Sequence, residues 1–201
     1  MTKADEVALL VGKKINAIQC DLESSRPILA RLRRYAGKNI LDSQEIWGYV
    51  LENMPESLMG KGKENFEPSE AEIAVHITLS LYALHQQGTT VPVSCKGCSF
   101  ATAVRKIAVS DEEAEKSGVR RRFDAALTSS DINELSNHMR GLVQLIRQSN
   151  STIQADYPLL AKDLYQYQFP DGKKKVLIRW GQDYYRIQNN LENADKGEKD
   201  E

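Results

Sequence analysis

Apolar residues recur at three- and four-residue intervals along most of the chain, the period of helices that bury one face. Ile28, Leu29, Leu32, Tyr35 and Ala36 share a face between Ser24-Ser25-Arg26-Pro27, a cap with proline in the first turn, and the stop signal Gly37. Asp42-x-x-Glu45 reads as a capping box opening a helix with Ile46, Trp47, Val50, Leu51 and Met54 on one side and Pro55 at its end. A second box, Ser69-x-x-Glu72, precedes Ile73 to Leu84, a stretch apolar nearly all round and so expected as the central buried helix. Ser99 caps a short helix to Ile107, and another is expected from Glu112 to Leu127. Asp131-x-x-Glu134 opens a helix to Gln148 whose apolar set is Ile132, Leu135, Met139, Leu142, Val143 and Ile146. Tyr157-Pro158 starts a helix through Tyr167, Pro170-Asp171-Gly172 reads as a turn, and a last helix carries Val176, Leu177, Trp180, Tyr184 and Ile187. The run nearest to a strand, Thr90 to Ser94, contains Pro92, which does not suit one. The pattern predicts an all-α protein of about eight or nine helices in two adjoining bundles. These are residues 1–106 and 107–190, followed by a disordered acidic tail over 191–201.

Composition adds boundaries. With 201 residues, 41% hydrophobic and 27% charged, the chain suits a soluble globular protein of one domain or two small ones. No apolar run reaches the length of a membrane span, and the mixed-charge start Met1-Thr2-Lys3-Ala4-Asp5-Glu6 is unlike a secretory signal. Three cysteines, an odd number, argue against a disulfide framework and for a reducing, cytoplasmic setting.

The net charge of −1 speaks against a protein that coats nucleic acid alone. Position changes that picture. Ser24 to Leu41 holds Arg26, Arg31, Arg33, Arg34 and Lys38 and no acid. Asp42 to Glu72 holds eight acids against two lysines. Ile73 to Val109 is again free of acid, and Asp111 to Glu115 is acidic. Lys116 to Arg147 holds six basic residues, including Arg120-Arg121-Arg122, against three acids. Separated signs predict a surface with a positive and a negative side.

Common enzyme signatures are missing. Gly60-Lys61-Gly62-Lys63 lacks the spacing of a phosphate loop, and there is neither HExxH nor GxSxG. Scattered carboxylates and His76, His85 and His138 leave an active site without a motif open. Cys95-Lys96-Gly97-Cys98 is a lone CxxC in a loop; with no second pair and no βαβ context it reads as two ordinary thiols, so no metal or cofactor is expected. The stronger constellation is Asn133, Asn137, Arg140, Gln144 and Arg147, one stripe of the Asp131–Gln148 helix without a carboxylate. Arg140 and Arg147 stand roughly 10 Å apart along its axis. Amides and arginines without acids suit phosphate oxygens, although an exposed face with incidental arginines fits the same pattern. Arg31, Arg33 and Arg34 lie outside the apolar arc of their helix. Trp47, Trp180 and Tyr184 sit at core-periodic positions and are expected as core, not as base-stacking platforms.

Seven ordered segments together carry a resemblance. They are Leu29-Ala30-Arg31-Leu32-Arg33-Arg34, Trp47 with the helix Ile73 to His85, Ser99-Phe100-Ala101-Thr102-Ala103-Val104, Arg121-Arg122-Phe123 with Ala126 to Asp131, Leu135 with His138-Met139-Arg140-Gly141-Leu142-Val143, Asp156-Tyr157-Pro158 through Leu164, and Trp180 with Tyr184-Tyr185. The chain resembles the CasB family, the small subunit of the type I-E CRISPR surveillance complex Cascade. Met139, the CxxC and the long loop after Met54 depart from the family pattern. The resemblance implies a helical, non-catalytic subunit, two copies head to tail beside the guide RNA, helping to hold target DNA and the displaced strand. Its other partners would be the backbone filament and the large subunit. The basic positions it carries over are Arg33, Arg34, Arg121, Arg122 and Arg140; helical geometry adds Arg31, Arg105 and Arg147 as nucleic-acid contacts. A scaffold whose basic patches meet an acidic protein is the alternative.

Overall fold

The computed structural model describes residues 1–60, 67–110, 118–149 and 152–197, and the side chains of all of these except 108–110 and 187–197. The expected helix start at Glu112, the acidic Asp111–Glu115 stretch and most of Gly60–Lys63 lie outside the described residues, as does the side chain of Ile187. Nine α-helices and three 3-10 turns make up the described residues, and no strand is among them.

The first helix, α1 (Lys3–Cys20), has no counterpart among the predicted elements. Thr2 caps it in a box with Asp5, and Val7, Leu10, Val11, Ile15 and Ile18 are buried along one face. α2 (Arg26–Leu32) begins with Pro27 in its first turn. It tightens into a 3-10 turn over Arg33–Tyr35, ending sooner than expected, before Gly37 at φ +77°. A 3-10 turn over Ile40–Asp42 leads into α3 (Gln44–Leu51). The capping box expected at Asp42 does not form. Ser43 occupies the cap position, and Glu45 instead accepts from Arg34 and from the Tyr35 hydroxyl.

α4 (Glu70–His85) starts at the expected box, with Ser69 and Glu72 bonding reciprocally. Every residue from Ala74 to His85 is buried. A helix without a wet face must be enclosed by neighbours. α4 packs against α1, α2, α7 (Ile132–Ser149) and α8 (Tyr157–Tyr167). α5 (Phe100–Ser110) and α6 (Val119–Leu127) complete the side carrying α7, and α9 (Pro170–Gly197) lies along α5 and α8. Pro170-Asp171-Gly172, expected as a turn, is the first turn of α9, a place where proline costs nothing. That helix passes the expected start of the tail at 191.

Helices from both expected bundles share one hydrophobic core. α1 crosses α8 closely at Gly12, where a Cβ would stand 3.6 Å from Pro158. Lys162 Nζ meets the Asp5 carboxylate at 2.6 Å across the same junction. Lys14 donates to the Tyr49 and Glu52 carbonyls at 2.6 and 2.7 Å, closing the carboxyl end of α3 with a cation. Asp156 caps α8 through Leu159 N and also accepts from Gly97 N at 2.8 Å, tying down the CxxC loop. Trp180 and Tyr184 are core residues as expected; Trp47 is not, being 36% exposed.

Candidate nucleic-acid interface

Three segments bring the expected arginines together. The turn after α2 is forced against α7: at Gly37 a Cβ would fall 2.9 Å from Arg140 Cδ and 3.0 Å from Asn137 Oδ1. Two residues on, Asn39 Nδ2 donates to Asn133 Oδ1 at 3.4 Å. The Asn133–Asn137–Arg140 stripe is thus flanked by the segment carrying Arg33, Arg34 and Lys38. From the opposite side Arg122 of α6 reaches Gly141, where a Cβ would stand 3.5 Å from its Nη1. Arg122 and Arg140 therefore converge from two helices.

Farther along α7, Arg147 Nη1 donates to Gln87 Oε1 at 2.7 Å, just beyond the end of α4. Gln87 also lines a groove of about 590 Å³ together with Arg33, Thr89, Thr90 and the Arg26–Glu23 ion pair. Arg147 lines a smaller groove of about 250 Å³ on the other side of Gln87. The glutamine thus links the two edges of the basic face.

Charge on this face is weakly compensated. Arg31, Arg121, Arg122 and Arg140 are exposed, Arg33 and Arg147 half-buried, and none of the six has a carboxylate partner among the described residues. Arg34 pairs with Glu45 at 3.2 Å, an exposed pair of little worth that a phosphate could replace. Arg121 folds back beside Gly118, the residue preceding α6. It is not brought against Arg122 and Arg140.

Arg105 departs from the expectation for surface contacts. It is 5% exposed, with its guanidinium 5.5 Å from the centre of the Tyr184 ring. The aromatic partner comes from α9, about eighty positions away, out of reach of any local pattern. Two groups absent from the expected contacts adjoin the face. Lys38 is exposed and lies over the Tyr35 ring at 5.3 Å; its signal was membership of the acid-free run. Arg120 lies over Tyr185 at 5.7 Å, with Asp124 3.9 Å away.

Among the described residues no three His, Cys, Asp or Glu side chains are grouped as metal ligands. Burial pushes the Cys98 thiol up, against the pull of Lys106 Nζ at 3.5 Å.

Gly37 offers a local test of how the face is assembled. Alanine there must adopt a left-handed backbone and displace Arg140, for an expected loss of about 2 kcal/mol. Urea denaturation measures the loss, and an unchanged midpoint would show that the turn does not pack on α7 in this way.

Comparison with known proteins agrees with this architecture. A search of curated proteins finds no match. The crystal structure of CasB from Thermobifida fusca superposes with a TM-score of 0.72 at 30% identity, covering 90% of this chain and 98% of that one. The family model of the CRISPR-associated protein Cse2 matches residues 28–185, which take in all six uncompensated arginines. The chain therefore belongs to the CRISPR-associated Cse2 (CasB) family.

Proposed function

We propose that this protein is a non-catalytic, nucleic-acid-holding subunit of an RNA-guided CRISPR surveillance complex. It adds phosphate contacts to the guide–target duplex and the displaced strand, alongside a second copy of itself and the other subunits, in the cytoplasm of a cell defending against foreign DNA. The observation that supports this most is the approach of Arg122, and of the turn that follows Arg33, to Arg140 and its neighbours on α7, with none of these three arginines paired to a carboxylate among the described residues. Such a face suits a repeating anion and reads no base sequence. In guided complexes base pairing selects the target, and strand exchange is nearly balanced, so a few phosphate contacts tip it. The net charge of −1 explains why these contacts would count inside an assembly more than for the chain alone.

The test is R-loop lifetime in the assembled complex carrying Arg121→Ala, Arg122→Ala and Arg140→Ala together. The expected result is a lifetime shortened roughly tenfold, with helicity unchanged and a shallower dependence on salt, because each lost phosphate contact removes about one unit of slope. A wild-type lifetime in the triple variant would overturn the reading. An unchanged salt slope with weaker assembly would instead favour an acidic protein partner for this face.

A further inference from the structure

The turn Ile40–Asp42 and α3 carry apolar side chains that the described residues leave partly uncovered. Leu41 is 49% exposed and Trp47 36%. They line a groove of about 180 Å³ together with Leu51, Pro68 and Glu67. An apolar cavity of roughly 150 Å³ accepts a benzene-sized group, so this one has room for a single apolar side chain.

The groove is stiff before anything enters it. Trp47 Nε1 donates to the Ile40 carbonyl at 2.8 Å, which fixes the indole. Ser43 Oγ donates to the Asn39 carbonyl at 2.9 Å and Gln44 Nε2 to the Leu41 carbonyl at 2.6 Å, which fix the turn. Beneath it, His76 Nε2 and Ser43 Oγ lie 2.9 Å apart in full burial. A rigid tryptophan beside an open apolar slot loses little entropy on binding, the usual property of an interface anchor.

Its rim is acidic. Glu67 lines the groove and Asp42 follows Leu41 in the chain; both are exposed, and neither has a cationic partner among the described residues. Glu72 is already occupied, accepting from Gly60 N and Ser69 N. The stretch Asp42–Glu72 as a whole carries eight acids and two lysines. Phosphate would be repelled here, whereas a lysine or arginine beside an apolar anchor would be attracted.

We infer that the Trp47 groove docks a protein segment of another subunit, one that inserts an apolar side chain between Leu41 and Trp47 and places basic residues against Asp42 and Glu67. The inference rests on the chain's membership of a multi-subunit complex. It gives the molecule two adjoining surfaces, a basic one for nucleic acid and an acidic-apolar one for protein.

The test is incorporation of the full chain into the complex reconstituted from the other subunits and guide RNA. Two variant pairs are compared with wild type: Leu41→Ala with Trp47→Ala, and Asp42→Lys with Glu67→Lys. Each pair should lower incorporation roughly tenfold while circular dichroism of the isolated chain stays helical, and Leu41→Ala alone should lower it with Tm and the affinity of the isolated chain for single-stranded DNA at wild-type values. Should the first pair fail to fold, Leu41→Ala alone serves, since that side chain is half exposed. Wild-type incorporation of either pair overturns the inference. So does sedimentation showing that the isolated wild-type chain self-associates through this patch and the variants do not, because the occupant is then a second copy. Failure here is separable from failure of the proposed function, which is read from the arginine variants after assembly.

Discussion

An alanine at position 163 is expected to cost the fold about 3 kcal/mol, lowering Tm by roughly 6–12 °C for a chain of this size. Asp163 is 1% exposed on α8. One carboxylate oxygen accepts from Trp180 Nε1 at 2.7 Å and the other pairs with Arg179, so a single side chain fastens α9 to α8. Alanine leaves the indole N–H of a buried tryptophan and a guanidinium without their acceptor. The Arg179 side chain is 38% exposed, so water relieves part of its loss and the figure falls at the low end for a broken buried pair. Burial pushes the Asp163 carboxyl up, with Trp180 and Arg179 working against that rise. The ionised group is therefore held at a cost. Asparagine, which keeps an acceptor for Trp180 without burying charge, should cost only about 1 kcal/mol. Urea denaturation of wild type and both variants measures the difference. Equal losses for alanine and asparagine would assign the clamp to the Arg179 charge; a loss under about 1 kcal/mol for alanine would remove the clamp altogether.

Acidification from pH 7.5 to 5 is expected to remove about 4 kcal/mol of stability, through two buried histidines. His76 faces Ser43, and His85 faces the Tyr157 hydroxyl at 3.0 Å with Arg147 nearby. Burial lowers both to about 4 from the ordinary 6.5; for His85 a hydrogen bond donated to the Ile153 backbone opposes that and Arg147 adds to it. The unfolded chain thus takes up protons below pH 6.5 that the folded chain refuses until about pH 4. Stability is level above about pH 7.5 and falls with pH down to about 4, by about 2 kcal/mol for each histidine at pH 5. Asp163 acts in the opposite sense, since a raised carboxyl is protonated more readily in the folded state. Asp5, held well below the ordinary carboxylate range by Lys162 and by its cap with Thr2, contributes only at still lower pH. Denaturation midpoints at pH 7 and pH 5 for wild type, His76→Gln and His85→Gln give the outcome. Each substitution should halve the acid sensitivity, and a wild-type response in both would exclude the histidines as its source.

Helical class and most helix positions follow from periodicity and caps, because amphipathic spacing and Ser69-x-x-Glu72 act within a few residues of themselves. α1 was missed for a different reason. Its box uses Asp5 in place of glutamate or glutamine, and its buried face includes Lys14, which counts as polar until the α3 carbonyls that receive it are known. The site shows the same division. That Arg140 lies on a stripe without acids could be read from helical phase; that Arg122 and the turn at Gly37 come up to it could not, since Gly141 and Gly37 act as close-approach points between segments. Arg105 and Trp47 erred in opposite directions. The arginine found the face of Tyr184, and the tryptophan found a turn that covers its N–H but leaves its ring open.

The contact of Gly37 with Arg140 joins positions separated by just over a hundred residues, so the basic face exists only in the folded chain. Any polyanion that needs both sides of that contact binds the native state and ignores the unfolded one. Occupancy then becomes stability: at a free concentration a hundred times Kd, binding adds about 2.7 kcal/mol to the free energy of unfolding. A copy holding its polyanion would resist heat and proteases better than an idle copy, and the lifetime of the protein in the cell would follow how much of it is engaged.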